Sequence, residues 1–334
     1  DASLADYDLL KVLSDSKLRY INPFYFFTLR RIIKEKQITH LVLEHPYYGW
    51  LGILLKKFCG VKLVTHSHNI EAERFKSLKK WWWGILWHYE KWTHRQSDIN
   101  FFIQDDDREY AISRFGLAPG KCVTITYGIP LNEAPSSARR QEAREALNAA
   151  YGLSGEETLL LFNGTLDYQP NLEAVEKIIA EINPALQKVH GFAYRIFICG
   201  KNLPKDLQDK ADAEKNIIYT GFVEDIDLYF RGTDIFINPV IEGGGIKTKV
   251  VEALGNDLVV ISTASGAIGI PAGITGGKLG ITKDGDWASF SQQIVKANTS
   301  LSIPGIYFNH FYWGNIAQKA ADAITLTSLN PAGS

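Results

Sequence analysis

Methionine is absent from all 334 residues, position 1 included, and only three cysteines are present. A natural chain of this length without methionine is improbable, which points to an incomplete N-terminus or to residues that were replaced. Cys59, Cys122 and Cys199 are odd in number and far apart, each in or beside an apolar run. They fit reduced core thiols in a reducing cytoplasm better than a disulfide framework or a zinc site. Excess charge is missing too: the formal net charge is −1, so no global basic field draws nucleic acid. No run reaches the roughly 18 apolar residues of a spanning helix, and the opening DASLADYDLL lacks a basic-then-apolar signal pattern. A soluble chain, at most peripheral to a membrane, is expected.

What is present is ordinary globular composition, with 46% hydrophobic and 22% charged residues. The length suggests two domains at about 100–200 residues each. From residue 38 onward, β-branched runs alternate with helical patterns: ITHLVLEH (38–45), VKLVTHSH (61–68), SDINFFIQ (97–104) and KCVTITYGI (121–129) read as buried parallel strands. Gly60 and Gly116 follow helical runs and suit left-handed helix caps. A polar stretch at 132–157 interrupts, and a second series follows at 158–164, 194–200, 216–222, 233–240 and 257–263. The expected fold class is α/β with two doubly wound parallel sheets. Residues 1–135 form the first domain, 136–308 the second, and 309–328 a terminal helix that packs across both. Two such sheets would face each other across a cleft at their strand ends.

The stretch NPVIEGGGIKTKVVEALGNDLVVIST (238–263) places Gly243, Gly244 and Gly245 between a strand and a helix starting near Lys247. Free amides at a helix N-terminus, with the positive end of its dipole behind them, make an anion site that phosphate reaches only where side chains are absent. It is not a Walker A loop, because Ile246 precedes Lys247 and Thr248, and a G-x-G-x-x-G starting at Gly243 fails at Thr248. Taken alone, the glycines would equally serve a sharp turn. Glu242 and Glu252 flank the loop as acceptors for sugar hydroxyls, while Lys247 and Lys249 offset phosphate charge. That combination describes a nucleotide sugar.

With EGGGIKTKVVEALGNDLVVISTASGAIGI, the sequence resembles the retaining glycosyltransferases of family 4, "glycosyl transferases group 1". NGTLDYQPNLEAV, THSHNIE, TYGI and FYWGNIAQK extend the likeness over most of the chain. The resemblance implies the GT-B architecture of two Rossmann-like domains and hexose transfer from a nucleoside-diphosphate sugar to a glycan, lipid-linked or other hydroxyl acceptor, in polysaccharide or glycoconjugate assembly. No cofactor is implied beyond that co-substrate. It places Glu242 near the donor sugar, Glu252 near the ribose, and Gly243, Gly244, Gly245, Ile246, Lys247 and Thr248 near the diphosphate. Lys249 is the cation there, Gly164 and Lys201 complete the donor set, and His68 lies beside the reacting sugar. The sequence departs from the family in spacing its two glutamates ten apart rather than eight. It lacks the usual Arg and Lys near 162–171, where Asn163, Asp167 and Gln169 stand, and has Tyr127 in place of an asparagine. The family's first strand and its Gly-rich loop are not visible ahead of residue 24.

Neither an Asp-x-Asp triplet nor a histidine cluster is read as a metal site, so metal-independent transfer is expected. Asp105, Asp106 and Asp107 read as a helix N-cap and first-turn charges. His66 is expected on the face opposite His68, and His66, His88 and His94 as structural histidines. Glu252 could instead pair with Lys249 one turn earlier. Residues 75–96 gather Trp81, Trp82, Trp83, Trp87 and Trp92 among basic residues, which suits peripheral contact with the inner membrane face as well as it suits packing within the domain. The competing functions are a nucleotide-sugar epimerase of the same architecture and a non-catalytic nucleotide-sugar binding subunit.

Overall fold

The computed structural model describes residues 7–243 and 245–329, without the side chains of Lys17 and of residues 326–329. The chain divides into two compact units, Asp1–Thr126 with Gln318–Ser334, and Tyr127–Ala317.

In the first unit, strands β1 (His40–Glu44), β2 (Lys62–Ser67), β3 (Ile99–Phe102) and β4 (Cys122–Thr124) pair in parallel in the order β1-β2-β3-β4. All four residues of β3 and four of the six in β2 are buried, whereas β1 buries only Leu43 and β4 only Cys122, so the expectation of buried strands holds for the middle of this sheet and not for its edges. Gly60 and Gly116 end their helical runs at φ 72° and 69°, the left-handed conformation expected of them. His94 is core, as expected: it stacks on Phe102 and Phe115, and its Nδ1 lies 2.8 Å from Asn100 Oδ1. Burial lowers its pKa to about 4, so it is neutral at pH 7. The acidic run needs one correction. Gln104 takes the N-cap position of the helix Asp105–Tyr110, which leaves all three aspartates in the first turn, facing the positive end of the dipole.

The second unit holds β5 (Thr158–Asn163), β6 (Tyr194–Cys199), β7 (Ile217–Gly221), β8 (Ile235–Asn238), β9 (Val259–Thr263) and β10 (Leu279–Thr282). They are all parallel, in the order β10-β9-β8-β5-β6-β7. Alternate residues of β5 feed opposite faces: Leu160 and Phe162 enter one core, Leu159 and Leu161 the other. Strand β10 was not expected, because LGIT is short and its glycine reads as loop. The polar stretch 132–157 is not merely a connector. Its middle is the helix Ser137–Tyr151, capped by the Ser136 hydroxyl and by left-handed Gly152, and it buries little beyond Ala143 and Leu147. So small an apolar stripe gives a weak periodic signal.

The strand order reverses between β5 and β8, and ligands of doubly wound sheets bind at such a reversal. At the N-terminal ends of β9 and β10 an ionic knot ties distant segments together. Asp257 meets the fully buried Lys278 at 2.8 Å and Arg140 at 3.2 Å, and accepts the Ile303 amide at 2.7 Å. Removing one partner of a buried pair strands the other's charge. Asp257→Asn should therefore lower unfolding free energy by about 3 kcal/mol, whereas Lys278→Met should cost clearly less. Urea denaturation of both variants checks the ranking.

Candidate functional site

The site grows from the ends of β5 and β8. At the end of β8, the buried Asn238 amide donates to Ser262 Oγ and Gly266 O, pinning the strand end to its neighbour. The chain then turns through the glycine loop, with Gly243 at φ 88° and Gly245 at φ 75°, values that other residues adopt only under strain. Gly244 lies outside the described residues. Lys247 is the N-cap residue of the helix Thr248–Gly255 and folds back over the loop, donating to the carbonyls of Gly243 and Gly245. Val250, Val251, Ala253 and Leu254 bury this helix against the core, which leaves Lys249 and Glu252, one turn apart, on the open side.

Across from the loop stands the segment after β5. Lys249 Nζ donates to Asn163 O at 3.1 Å and to Asn171 Oδ1 at 2.7 Å, and lies 4.3 Å from the centre of the Phe162 ring. The residue as a whole keeps some solvent contact, yet its ammonium is enclosed. Burial first, and the Lys247 charge second, lower its pKa to about 7. Glu252 does not pair with Lys249. Its Oε1 accepts the Tyr127 hydroxyl at 2.6 Å, and burial together with this carboxylate raises the Tyr127 pKa.

These groups border a cavity of about 360 Å³. Of the expected donor residues, Gly164, Glu242, Gly243, Ile246, Lys247, Thr248, Lys249 and Glu252 line it, joined by Asn163, Tyr168, Pro170 and Asn171. Gly245 shapes the loop without lining the cavity. Lys201 follows β6 on an exposed loop and does not line it either. Asp167 accepts from Asn202, and Gln169 donates to Glu173, so both turn to other partners. Asn171 and Tyr127 were not singled out as site residues. The Tyr127 departure from the family pattern was the available signal for its bond to Glu252.

His68 belongs to the first unit. The expectation for His66 was wrong, because residues two apart in a strand share a face. The rings of His66 and His68 lie 4.8 Å apart, and both reach the same carboxylate: Glu44 Oε2 is 3.0 Å from His66 Nδ1 and 2.8 Å from His68 Nε2. Strand pairing sets Glu44 directly opposite His66. That juxtaposition was hidden in the sequence, where the carboxylate lies far from the histidines along the chain.

Two parallel α/β units, one with an anion-type loop at its sheet reversal, define a protein of the GT-B class. Residues 9–133 match the family described as "Glycosyltransferase Family 4", and residues 157–299 match "Glycosyl transferases group 1". The chain belongs to this family. It is similar in fold to a glycosyltransferase from Rickettsia africae (17% identity, TM-score 0.69, covering 96% of this chain and 85% of that one). A sucrose-phosphate synthase from Thermosynechococcus elongatus compares likewise (16% identity, TM-score 0.69, 95% and 81%). So does Anabaena HepE in complex with UDP (14% identity, TM-score 0.66, 92% and 84%). A curated relative, an uncharacterized 44.6 kDa protein in the cps region of Klebsiella pneumoniae, is 27% identical over 160 residues. The match takes in 46% of this chain and 40% of that protein.

The Lys249 environment makes a prediction independent of any ligand. Its folded pKa, about 7, lies below the usual 10.5, so the unfolded chain binds the extra proton between those values. Lys249 thus costs stability below about pH 7, and the cost fades as pH rises toward 10.5. Lys249→Met should raise the melting temperature at pH 7, with a gain that shrinks by pH 10. An equal gain at both pH values would show the ammonium to be well solvated.

Proposed function

We propose that the chain transfers a hexose, with retention of anomeric configuration, from a nucleoside-diphosphate sugar to a glycan, lipid-linked or other hydroxyl acceptor in polysaccharide or glycoconjugate assembly. The observation that carries this reading is the single cavity that brings together Glu242, Glu252, the glycine loop and the enclosed Lys249. The UDP bound in the Anabaena neighbour and the cps-region relative support the donor class and the pathway.

Breaking the bond from the anomeric carbon to the diphosphate leaves negative charge on the departing phosphate. Lys249 and the amides at the start of the helix Thr248–Gly255 supply the positive potential for it. They can do so without a divalent ion, and metal-independent transfer is part of the proposal. Glu252 would receive the ribose hydroxyls, Glu242 the donor sugar hydroxyls, and His68 would act beside the reacting sugar. A diphosphate would also favour the charged form of Lys249.

A thermal-shift panel of nucleotides and nucleotide sugars, with and without EDTA, tests the reading, since a ligand of the folded state raises the melting temperature. One nucleoside diphosphate and its sugars should stabilise the chain equally in both conditions. No response to any nucleotide would reduce the glycine loop to a turn. Glu252→Ala should weaken nucleotide binding by about 1–3 kcal/mol, the usual scale for losing a charged hydrogen-bonding partner. Unchanged affinity would remove Glu252 from the site.

Peripheral binding to the inner, anionic membrane face through residues 75–96 is the second part of the proposal. No helix among the described residues is long and apolar enough to cross a membrane. Trp87 is committed to its own unit, donating to Tyr110 at 3.0 Å and packing edge-on to Phe115. Trp81 (84% exposed), Ile85 (67%) and Leu78 stand out beside the exposed Lys79 and Lys80. The chain should float with anionic liposomes, and a Trp81/Trp82/Trp83 triple alanine variant should not. Equal flotation of both, or of neither, would remove this surface from the account.

A further inference from the structure

We propose that Glu44, His66 and His68 form a binding site for a divalent transition ion of the zinc type. Neither the family match nor the donor reading assigns such a site, although it uses His68, which the donor reading sets beside the reacting sugar. Three donor atoms, His66 Nδ1, His68 Nε2 and a Glu44 carboxylate oxygen, all lie within 4.8 Å of one another. The two oxygen-to-nitrogen separations are 3.0 and 2.8 Å. Ligands at about 2.0–2.1 Å from a tetrahedral zinc stand about 3.3 Å apart, so modest side-chain rotation brings all three onto one ion. Two imidazoles with one carboxylate suit zinc, cobalt or nickel, whereas calcium and magnesium take oxygen.

Backbone geometry builds the site in advance. Glu44 and His66 are register partners at the ends of adjacent parallel strands, and His68 follows on the same face. The His45 ring packs 4.4 Å from the His68 ring, and His45 Nδ1 lies 3.3 Å from the buried carboxylate of Glu71. His45 therefore restrains His68 from the side, as outer groups orient metal-ligating histidines elsewhere. The side chains of Glu44 and His68 are 60% and 39% exposed, which leaves a fourth position open to water, the arrangement of an open rather than a closed structural site.

The test is titration of the full chain with zinc chloride in the absence of any nucleotide, followed by calorimetry, with cobalt(II) absorption reporting coordination. One zinc per chain should bind, with cobalt giving the intense visible bands of a four-coordinate site. Glu44→Gln and His68→Ala should each weaken zinc by at least about tenfold, since even outer-shell losses cost that much. His88→Ala, at an exposed histidine outside the cluster, should bind as wild type does. Melting curves in EDTA establish that the variants fold. Absence of saturable zinc binding by wild type, or equal binding by all four proteins, overturns the proposal. Because no nucleotide is present, that failure leaves the donor-site reading untouched, and a nucleotide-inert chain can still bind zinc.

Discussion

The site depends on where one ammonium group is held. Lys249 comes from the helix after β8, yet its partners, Asn163 O and Asn171 Oδ1, belong to the segment after β5. β5 and β8 are neighbours in the sheet although roughly seventy residues separate them in the chain, so this contact closes the crevice at the sheet reversal. It also concentrates positive charge where water is scarce. A cation made costly by burial is one for which an arriving anion has most to offer.

The other charges around the cavity are arranged so as not to cancel it. Lys247 is turned to the carbonyls of Gly243 and Gly245, and Glu252 is held by Tyr127 instead of collapsing onto Lys249. A carboxylate that accepts one phenolic proton at Oε1 keeps its other oxygen for a hydroxyl-bearing ligand. The tyrosine at the start of the second unit is thus part of the site's order, although it contributes nothing to the cavity lining.

The alternation of strands and helices, the left-handed caps and the glycine loop were legible because each has a local signature: β-branched runs, glycine after a helical run, glycines before a basic helix. Strand β10 and the helix Ser137–Tyr151 were not. One is a four-residue segment with a glycine, and the other has a polar surface and a narrow apolar stripe. Within the site, residues adjacent along the chain, such as Glu242, Lys249 and Glu252, could be found by spacing. Asn171 and Tyr127 could not, because only tertiary structure makes them partners. Glu44 illustrates the same limit, since its relation to His66 is a matter of strand register.

The sheet order also bears on how the second unit comes into being during synthesis. β5, with Leu159, Leu160, Leu161 and Phe162 all fully buried, sits in the middle of the finished sheet. Its partner β6 emerges soon after it, but β8 is made only after β7. At about 5–20 residues per second, the half-sheet β5-β6-β7 waits about one to three seconds with its most apolar strand as a raw edge. An unpaired apolar edge is a template for wrong pairing. The doubly wound order that creates the ligand crevice therefore also creates an interval in which the nascent chain is most open to aggregation or to capture by a chaperone.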